Sequence, residues 1–383
     1  MNKIIKIILL LALTLSIPLK NVAANEKIKI GLLVPLTGKN TEIGQSIIKS
    51  TRLAVNKINN ISIEIIPRDT GSNPNITLGS AKELAKLGVK IIIGPVFNEN
   101  LEYLDEIRDV TFLSLTNKSD NTSKNIINAG INATSQLNAI QKFIKLNEIK
   151  KTIFLIPDVI YKNEIEKAIS ISKIKIIKKY IYNTEPTKLT KHIETITNYK
   201  RRKQNLKDEI KRLEESEENN KELLIERLKK RDTLGAVKFD SIIIADFDES
   251  LKSVTTSLVY TDVSPKKKYF ITLNQWFDES LLYETSSQPL YFPSINKKNY
   301  EDFSVEYFEE FNQYPNQLSF LSFDLVGLIY YLILKNDSIV DEKIFTKETL
   351  FKGKIGIFEI KNNKINHILN FYKVENSEFK KIF

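Results

Sequence analysis

The sequence contains no cysteine. That excludes disulfides, thiolate metal sites and cysteine nucleophiles, and with them a lipid carried on an amino-terminal cysteine. Histidine is scarce: the 383 residues hold two, His192 in a charged helical stretch and His367 near the carboxyl end. No zinc ligand set and no Ser-His-Asp arrangement can be built from that pair. Twelve glycines leave little room for a phosphate-cradling loop, and none is visible. An enzyme, a cofactor and a metal are therefore not expected. Arginine clusters interleaved with aromatics are missing, which argues against nucleic acid as a partner despite a formal charge of +10. Lysine greatly outnumbers arginine, and isoleucine and asparagine are abundant, as an AT-biased coding sequence would give.

After the first 24 residues no stretch reads as transmembrane; the strongly apolar Leu318–Leu334 reads as a helix packed against a sheet. Within those residues, Lys3 and Lys6 precede an apolar run from Ile7 to Ile17. Pro18 breaks it, and Val22 and Ala24 supply the small side chains of a cleavage site. The expectation is an export signal, residues 1–24, cut after Ala24. Losing Lys3, Lys6 and Lys20 takes the formal charge from +10 to +7. The exported chain is expected to be soluble, periplasmic and not a lipoprotein.

What is present is organised around Lys27 to Asn59. Ile28, Ile30, Leu32, Leu33 and Val34 form the dense aliphatic block of a strand buried on both faces of a parallel sheet. Pro35 and Gly38 stop it, and Ile43, Ile47, Ile48, Leu53, Val55 and Ile58 then recur at mostly helical spacing. A loop leaving the carboxyl end of such a strand is where open α/β sheets bind ligands. The grammar repeats: strand from Ile61 closed by Pro67, helix from Pro74, strand Val89–Ile93, helix Leu101–Ile107, strand Val110–Leu113. After a polar stretch, Thr116–Ser123, read as the first crossover, strands and helices alternate again to Ile181. The pattern predicts an α/β protein of two Rossmann-like lobes with parallel sheets.

The lobes are expected at 25–120 with 275–345, and at 121–274 with 346–383. A charged helical insertion at about 197–234 interrupts the second, with Leu206, Ile210 and Leu213 on one face and Leu224 and Leu228 on another. A solvated insertion is the plainer reading of it and a partner-binding arm the sharper one. Gly353–Phe358 and Ile365–Phe371 around Asn362-Asn363 read as a β-hairpin.

Several stretches resemble the type I periplasmic binding proteins of the leucine-binding kind. They are Lys29-Ile-Gly-Leu-Leu-Val-Pro-Leu-Thr-Gly38 with Gly44, Ile92-Ile-Gly-Pro-Val96, the strand ending in Ser114, Ser322-Phe-Asp-Leu-Val326, and Gly353-Lys-Ile-Gly356. A narrower likeness, to the alphaproteobacterial penicillin-binding protein activators, rests on Pro67-Arg-Asp-Thr-Gly71, Pro157-Asp-Val-Ile-Tyr161 and Lys238-Phe-Asp240 around the charged insertion. The resemblance implies two lobes joined by three crossovers around a cleft. It implies either capture of a small amino-acid-like ligand for an inner-membrane ABC permease, or, in the activator branch, regulation of a peptidoglycan synthase.

For the ligand site the resemblance points to Asn98, Ser114, Thr116 and Asn117 toward a carboxylate, Tyr161 as a cap, and Asp246 or Asp248 toward an ammonium group. Trp276, the sole tryptophan, completes the set. Each has a plainer role. Ser114, Thr116 and Asn117 suit turns; Asn98, Asp246 and Asp248 suit helix caps; Trp276 suits packing beside the hinge. Arg68 and Asp69 fit an ion pair, or less simply an anion clamp. All lie after strand ends, which favours the group reading as a cleft rim.

Overall fold

The computed structural model describes residues 27–58, 63–118, 123–336, 342–361 and 364–383. The expected export signal, Ile61 and the Asn362-Asn363 turn lie outside them.

The first lobe is built from β1 (Ile28–Val34), α1 (Thr41–Lys57), β2 (Ile63–Asp69), α2 (Pro74–Lys86), β3 (Ile91–Ile93), β4 (Thr111–Ser114) and β5 (Ile126–Asn128). The strands are all parallel, in the order β2-β1-β3-β4-β5. In β1 only Lys29 is exposed, as the run of aliphatics requires of a strand covered on both faces. The start of α2 is fixed locally: Asn73 caps the amide groups of Asn75 and Ile76, and Pro74 takes the first helical position. Two details differ from the sequence reading. Strand β2 runs through Pro67 to Asp69, because it is the sheet edge, where a missing amide is tolerated. Leu101–Ile107 is not one helix; the segment holds two 3₁₀ turns, Asn98–Leu101 and Leu104–Glu106.

The second lobe contains α3 (Ala133–Leu146), β6 (Thr152–Pro157), α4 (Lys162–Ser172), β7 (Lys178–Tyr182), α5 (Pro186–Ile196), α6 (Tyr199–Glu214), α7 (Lys221–Lys229), β8 (Ser241–Ile244), α8 (Asp248–Tyr260), β9 (Tyr269–Thr272), α9 (Ser280–Tyr283) and β10 (Leu290–Ser294). The chain then returns to the first lobe through α10 (Lys297–Phe311) and α11 (Ser319–Lys335), which packs on α1: the Ser50 hydroxyl donates to the Ser319 carbonyl and the Ser322 hydroxyl to that of Ile47. A small antiparallel sheet follows, β11 (Thr349–Lys352), β12 (Ile357–Lys361) and β13 (Lys364–His367). Finally β14 (Asn370–Glu375) and β15 (Glu378–Lys381) extend the second sheet to β15-β14-β10-β9-β8-β6-β7. Their turn, Asn376-Ser377, has both residues left-handed (φ 55 and 57), the geometry of a two-residue hairpin matched to strand twist.

The lobe boundaries move from those read in the sequence. Strand β5 belongs to the first sheet, since Ile126–Asn128 pair with Phe112–Ser114. The first crossover is therefore residues 129–132, not Thr116–Ser123. Strand β10, inside the stretch 275–345 assigned to the first lobe, pairs with β9 in the second sheet. The second crossover is residues 295–296, and the small sheet carries the third. One core runs through all three, joining Leu32 and Ile93 of the first sheet to Phe154 and Ile271 of the second and taking in Leu325 and Ile329 of α11. Helix α11 is apolar nearly all round because it is covered on nearly every side.

The charged insertion is a helical arm, α6 and α7. Helix α6 buries Leu206 and Leu213, while α7 buries none of its residues. Arg202 roots it: its guanidinium, buried, donates to the Thr197 carbonyl at 3.0 Å, the Thr233 hydroxyl at 3.1 Å and the Thr261 carbonyl at the end of α8. Both feet of the arm are thereby tied to one helix terminus.

Candidate functional site

The carboxyl ends of the two parallel sheets face one another, and their loops enclose a cavity of about 410 Å³. From the first lobe come the loops after β3 and β4. Gly94 makes the first possible: its φ is +108, and a Cβ there would lie 2.1 Å from the Leu33 carbonyl oxygen. The second loop is stitched to it through the Leu115 amide and the Ser114 hydroxyl, both donating to the Pro95 carbonyl. From the second lobe come Phe247 after β8, and Asn274 and Trp276 after β9. Leu318 and Leu321 at the start of α11 close one side.

Four of the residues expected from sequence meet here: Asn98, Thr116, Asn117 and Trp276. Trp276 is held in an unusual conformation. It and Phe277 both have positive φ (50 and 59), which bulky residues seldom adopt. The Asn274 side chain secures the turn by accepting the Trp276 amide at 3.0 Å. The indole then stands 6.0 Å from the Phe320 ring of α11, so it lines the cleft and touches the opposite lobe at once.

The other four are placed elsewhere. Ser114 is fully buried beneath its loop. Asp246 is almost fully buried, and its carboxylate is consumed internally. It accepts from Tyr161 Oη at 3.3 Å, Ser250 Oγ at 2.6 Å, the Phe247 amide at 3.0 Å, and Tyr182 Oη. Tyr161 is thus a partner of Asp246, not a cap on the cavity. Burial first, and then the Asp246 charge, push the Tyr161 and Tyr182 hydroxyls well above the usual phenol range, so both remain donors. Asp248 opens a separate hollow beside Lys252 and Asp278. The Arg68 clamp is likewise corrected: Arg68 Nε pairs with Glu83 at 2.9 Å, and Asp69 accepts from the Leu36 amide, the Thr37 hydroxyl and the Gly71 amide. That motif staples the loop after β1.

Sequence reasoning missed Asn274, Gln136, Lys118 and Phe247, all in the cavity wall. Asn274 stands two residues beyond β9, after a strand end like the residues the sequence reading took for the cleft rim.

Residues 27–173 match the model of a family described as periplasmic binding protein. A putative branched-chain amino acid ABC transporter from Rhodospirillum rubrum matches this structure with a TM-score of 0.70, covering 93% of this chain and 100% of that one at 12% identity. The chain has the type I periplasmic-binding-protein fold. Other structures with this fold serve different ends. The C-domain of LpoA from Haemophilus influenzae, a regulator of PBP1A, matches with a TM-score of 0.63 at 14% identity, over 93% of this chain and 100% of that one. A solute binding protein of an ABC transporter from Rhodopseudomonas palustris, in complex with 3,4-dihydroxy benzoic acid, matches with 0.56 at 16% identity, over 93% and 96%. No curated protein matches the sequence. No helix among the described residues is long and apolar enough to cross a membrane.

Proposed function

We propose that this protein is a periplasmic solute-binding protein, capturing a small organic solute between its lobes for an inner-membrane importer. The observation that carries the reading is the cleft itself. Loops from the carboxyl ends of both parallel sheets converge on one cavity of about 410 Å³, within the usual size range of small-molecule sites. Its walls combine apolar residues, Phe247, Trp276 and Leu321 among them, with as many polar ones contributed by both lobes, Asn98, Thr116, Asn117, Gln136 and Asn274 among them. Three crossovers make a hinge, so binding energy couples to closure. The test is a thermal-shift screen of amino acids, organic acids and sugars. One compound class raising the melting temperature by several degrees supports the reading, as mass action requires; a flat screen refutes it.

A second reading, regulation of a peptidoglycan synthase, is favoured by the arm. A solute binder has no need of two charged helices rooted by a buried arginine. Replacing residues 208–229 with a short flexible link separates the readings. Loss of synthase capture with solute binding intact supports the second; unchanged capture, or none from the full chain, removes it.

A further inference from the structure

We infer that two copies of this chain pair through their arms, the acidic tip of each seated in a basic hollow at the root of the other; this stands apart from either reading of the cleft. The charge of the arm is sorted along its length. Residues 199–207 hold five lysines and arginines and no carboxylate, and residues 227–231 hold four and none. The tip, residues 214–218, holds four glutamates and no cation. Both basic stretches stand at the root, where the Leu234 amide donates to the Arg202 carbonyl at 3.0 Å. Of these root cations only Lys230 has an ion-pair partner among the described residues, Glu226 at 2.7 Å. At the tip Glu215 and Glu218 pair with Lys211 and Arg212, while Glu214 and Glu217 have no ion-pair partner among the described residues.

A lone arm does not favour this order. Helix α6 opens on Lys200 and Arg201 with no acidic residue in its first turn, which sets two cations at the positive end of its dipole. Lys200, Lys203 and Lys207 follow one another on one face, where like charges repel. That stripe leads into a hollow of about 750 Å³ in the corner between α5 and α6. Lys191, Lys200 and Arg201 line it against a single carboxylate, Glu194. The hollow is thus short of anions and the tip short of cations, roughly 20 Å apart along α6 at 1.5 Å per residue. A second arm laid antiparallel supplies both at once, and the pair closes on a twofold axis. Helix α7 adds apolar surface to be covered: it buries none of its residues, Leu223 is 50% exposed, and Leu224, Ile225 and Leu228 are half-buried. A foreign acidic segment would satisfy the root and leave the tip unmatched.

The test is sedimentation velocity of the purified protein at low and high salt, about 50 mM and about 500 mM. At tens of micromolar protein a dimer is expected at low salt, with its Kd raised about ten-fold or more at high salt. Two charge reversals separate the ends: Glu214→Lys with Glu217→Lys at the tip, and Lys200→Glu with Arg201→Glu at the root. All four residues are exposed, so both variants should melt close to the parent. Each variant alone should be monomeric, since its tip and root then carry one sign, and an equimolar mixture of the two should form the heterodimer. A parent that stays monomeric at low salt, a reversed variant that dimerises like the parent, or a mixture that stays monomeric overturns the inference. So does poly-L-glutamate binding to the root of a chain that remains monomeric, which would name a foreign acidic segment as the occupant.

Discussion

Asp324 Oδ2 accepts the backbone amide of Gly356 at 2.7 Å. The same carboxylate takes the amides of Lys354 at 2.8 Å and Ile355 at 3.1 Å. Asp324 is on α11 in the first lobe, and the three amides lie in the loop that opens the third crossover, so one buried side chain pins the hinge. Two motifs quoted separately from the sequence, Ser322–Val326 and Gly353–Gly356, are the two halves of this contact. A Cβ on Gly353 would lie 2.5 Å from Asp324 Cγ, which is why the loop carries glycine there. Asp324→Asn sets an NH₂ group among three N–H donors. It should cost about 2–4 kcal/mol, the scale of losing charge-assisted bonds in a buried place. Denaturant unfolding checks it, and a change below about 0.5 kcal/mol would contradict the pin.

His367 ties the third crossover to the first. Its Nε2 lies 2.8 Å from the Ala129 carbonyl, and its own amide donates to Ser135 at the start of α3. Nδ1 has no partner among the described residues. Burial lowers the ring's pKa to about 4, against the upward pull of the Ala129 bond. A depressed value means stability that is present above the unfolded pKa near 6.5 and lost as pH falls toward 4. A shift of that size corresponds to about 3 kcal/mol. Asp324 runs the other way. Burial raises its pKa to about 6 against the three amide bonds, so its contribution is lost as pH rises from about 4 to 6. In His367→Gln the loss of melting temperature from pH 7.5 to pH 4.5 should be smaller than in the parent. Equal losses would show that His367 does not titrate in this window.

Arg202→Met removes the root of the arm. The carbonyls of Thr197 and Thr261 lose their buried donor, at a cost of about 2–4 kcal/mol. Hydrogen exchange should speed up across residues 199–234 well before it does in β6, β8 and β9. Uniform acceleration over the whole chain would mean that the arm is no separate unit.

Tyr161→Phe deletes the hydroxyl bond to Asp246 and keeps the ring that stands edge-on to Phe247 behind the cavity wall. Ligand affinity should stay within about three-fold, with stability lower by about 1 kcal/mol. A ten-fold loss of affinity would return Tyr161 to the site.

The parallel strands were legible because their chemistry is local. Ile28–Val34 is aliphatic but for Lys29 and Gly31, Ile91–Ile93 is aliphatic throughout, and Asn73-Pro74 carries its own cap. Strand β10 was not legible. It holds Pro293, and it reads as a strand only once β9 and β14 flank it, with just Leu290 and Tyr291 paired to β9. The site divided the same way. Position after a strand end is a local fact, and Asn98, Thr116, Asn117 and Trp276, to which the resemblance pointed, hold such positions and meet at the cleft. Whether such a residue is available to a ligand depends on distant partners. Nothing near Asp246 in sequence shows that Tyr161, from the loop after β6, and Tyr182, at the end of β7, donate to its oxygens. Nothing near Asn274 shows that the Ser294 hydroxyl arrives from β10 to donate to its Oδ1.

Trp276 is the only tryptophan in the chain, so its fluorescence reports the cleft without labelling. Titrating the protein with the compound class that stabilises it thermally should shift or quench that emission saturably, with a midpoint equal to the calorimetric Kd. A compound that binds by calorimetry and leaves the Trp276 emission unchanged would place the ligand elsewhere and contradict the cleft.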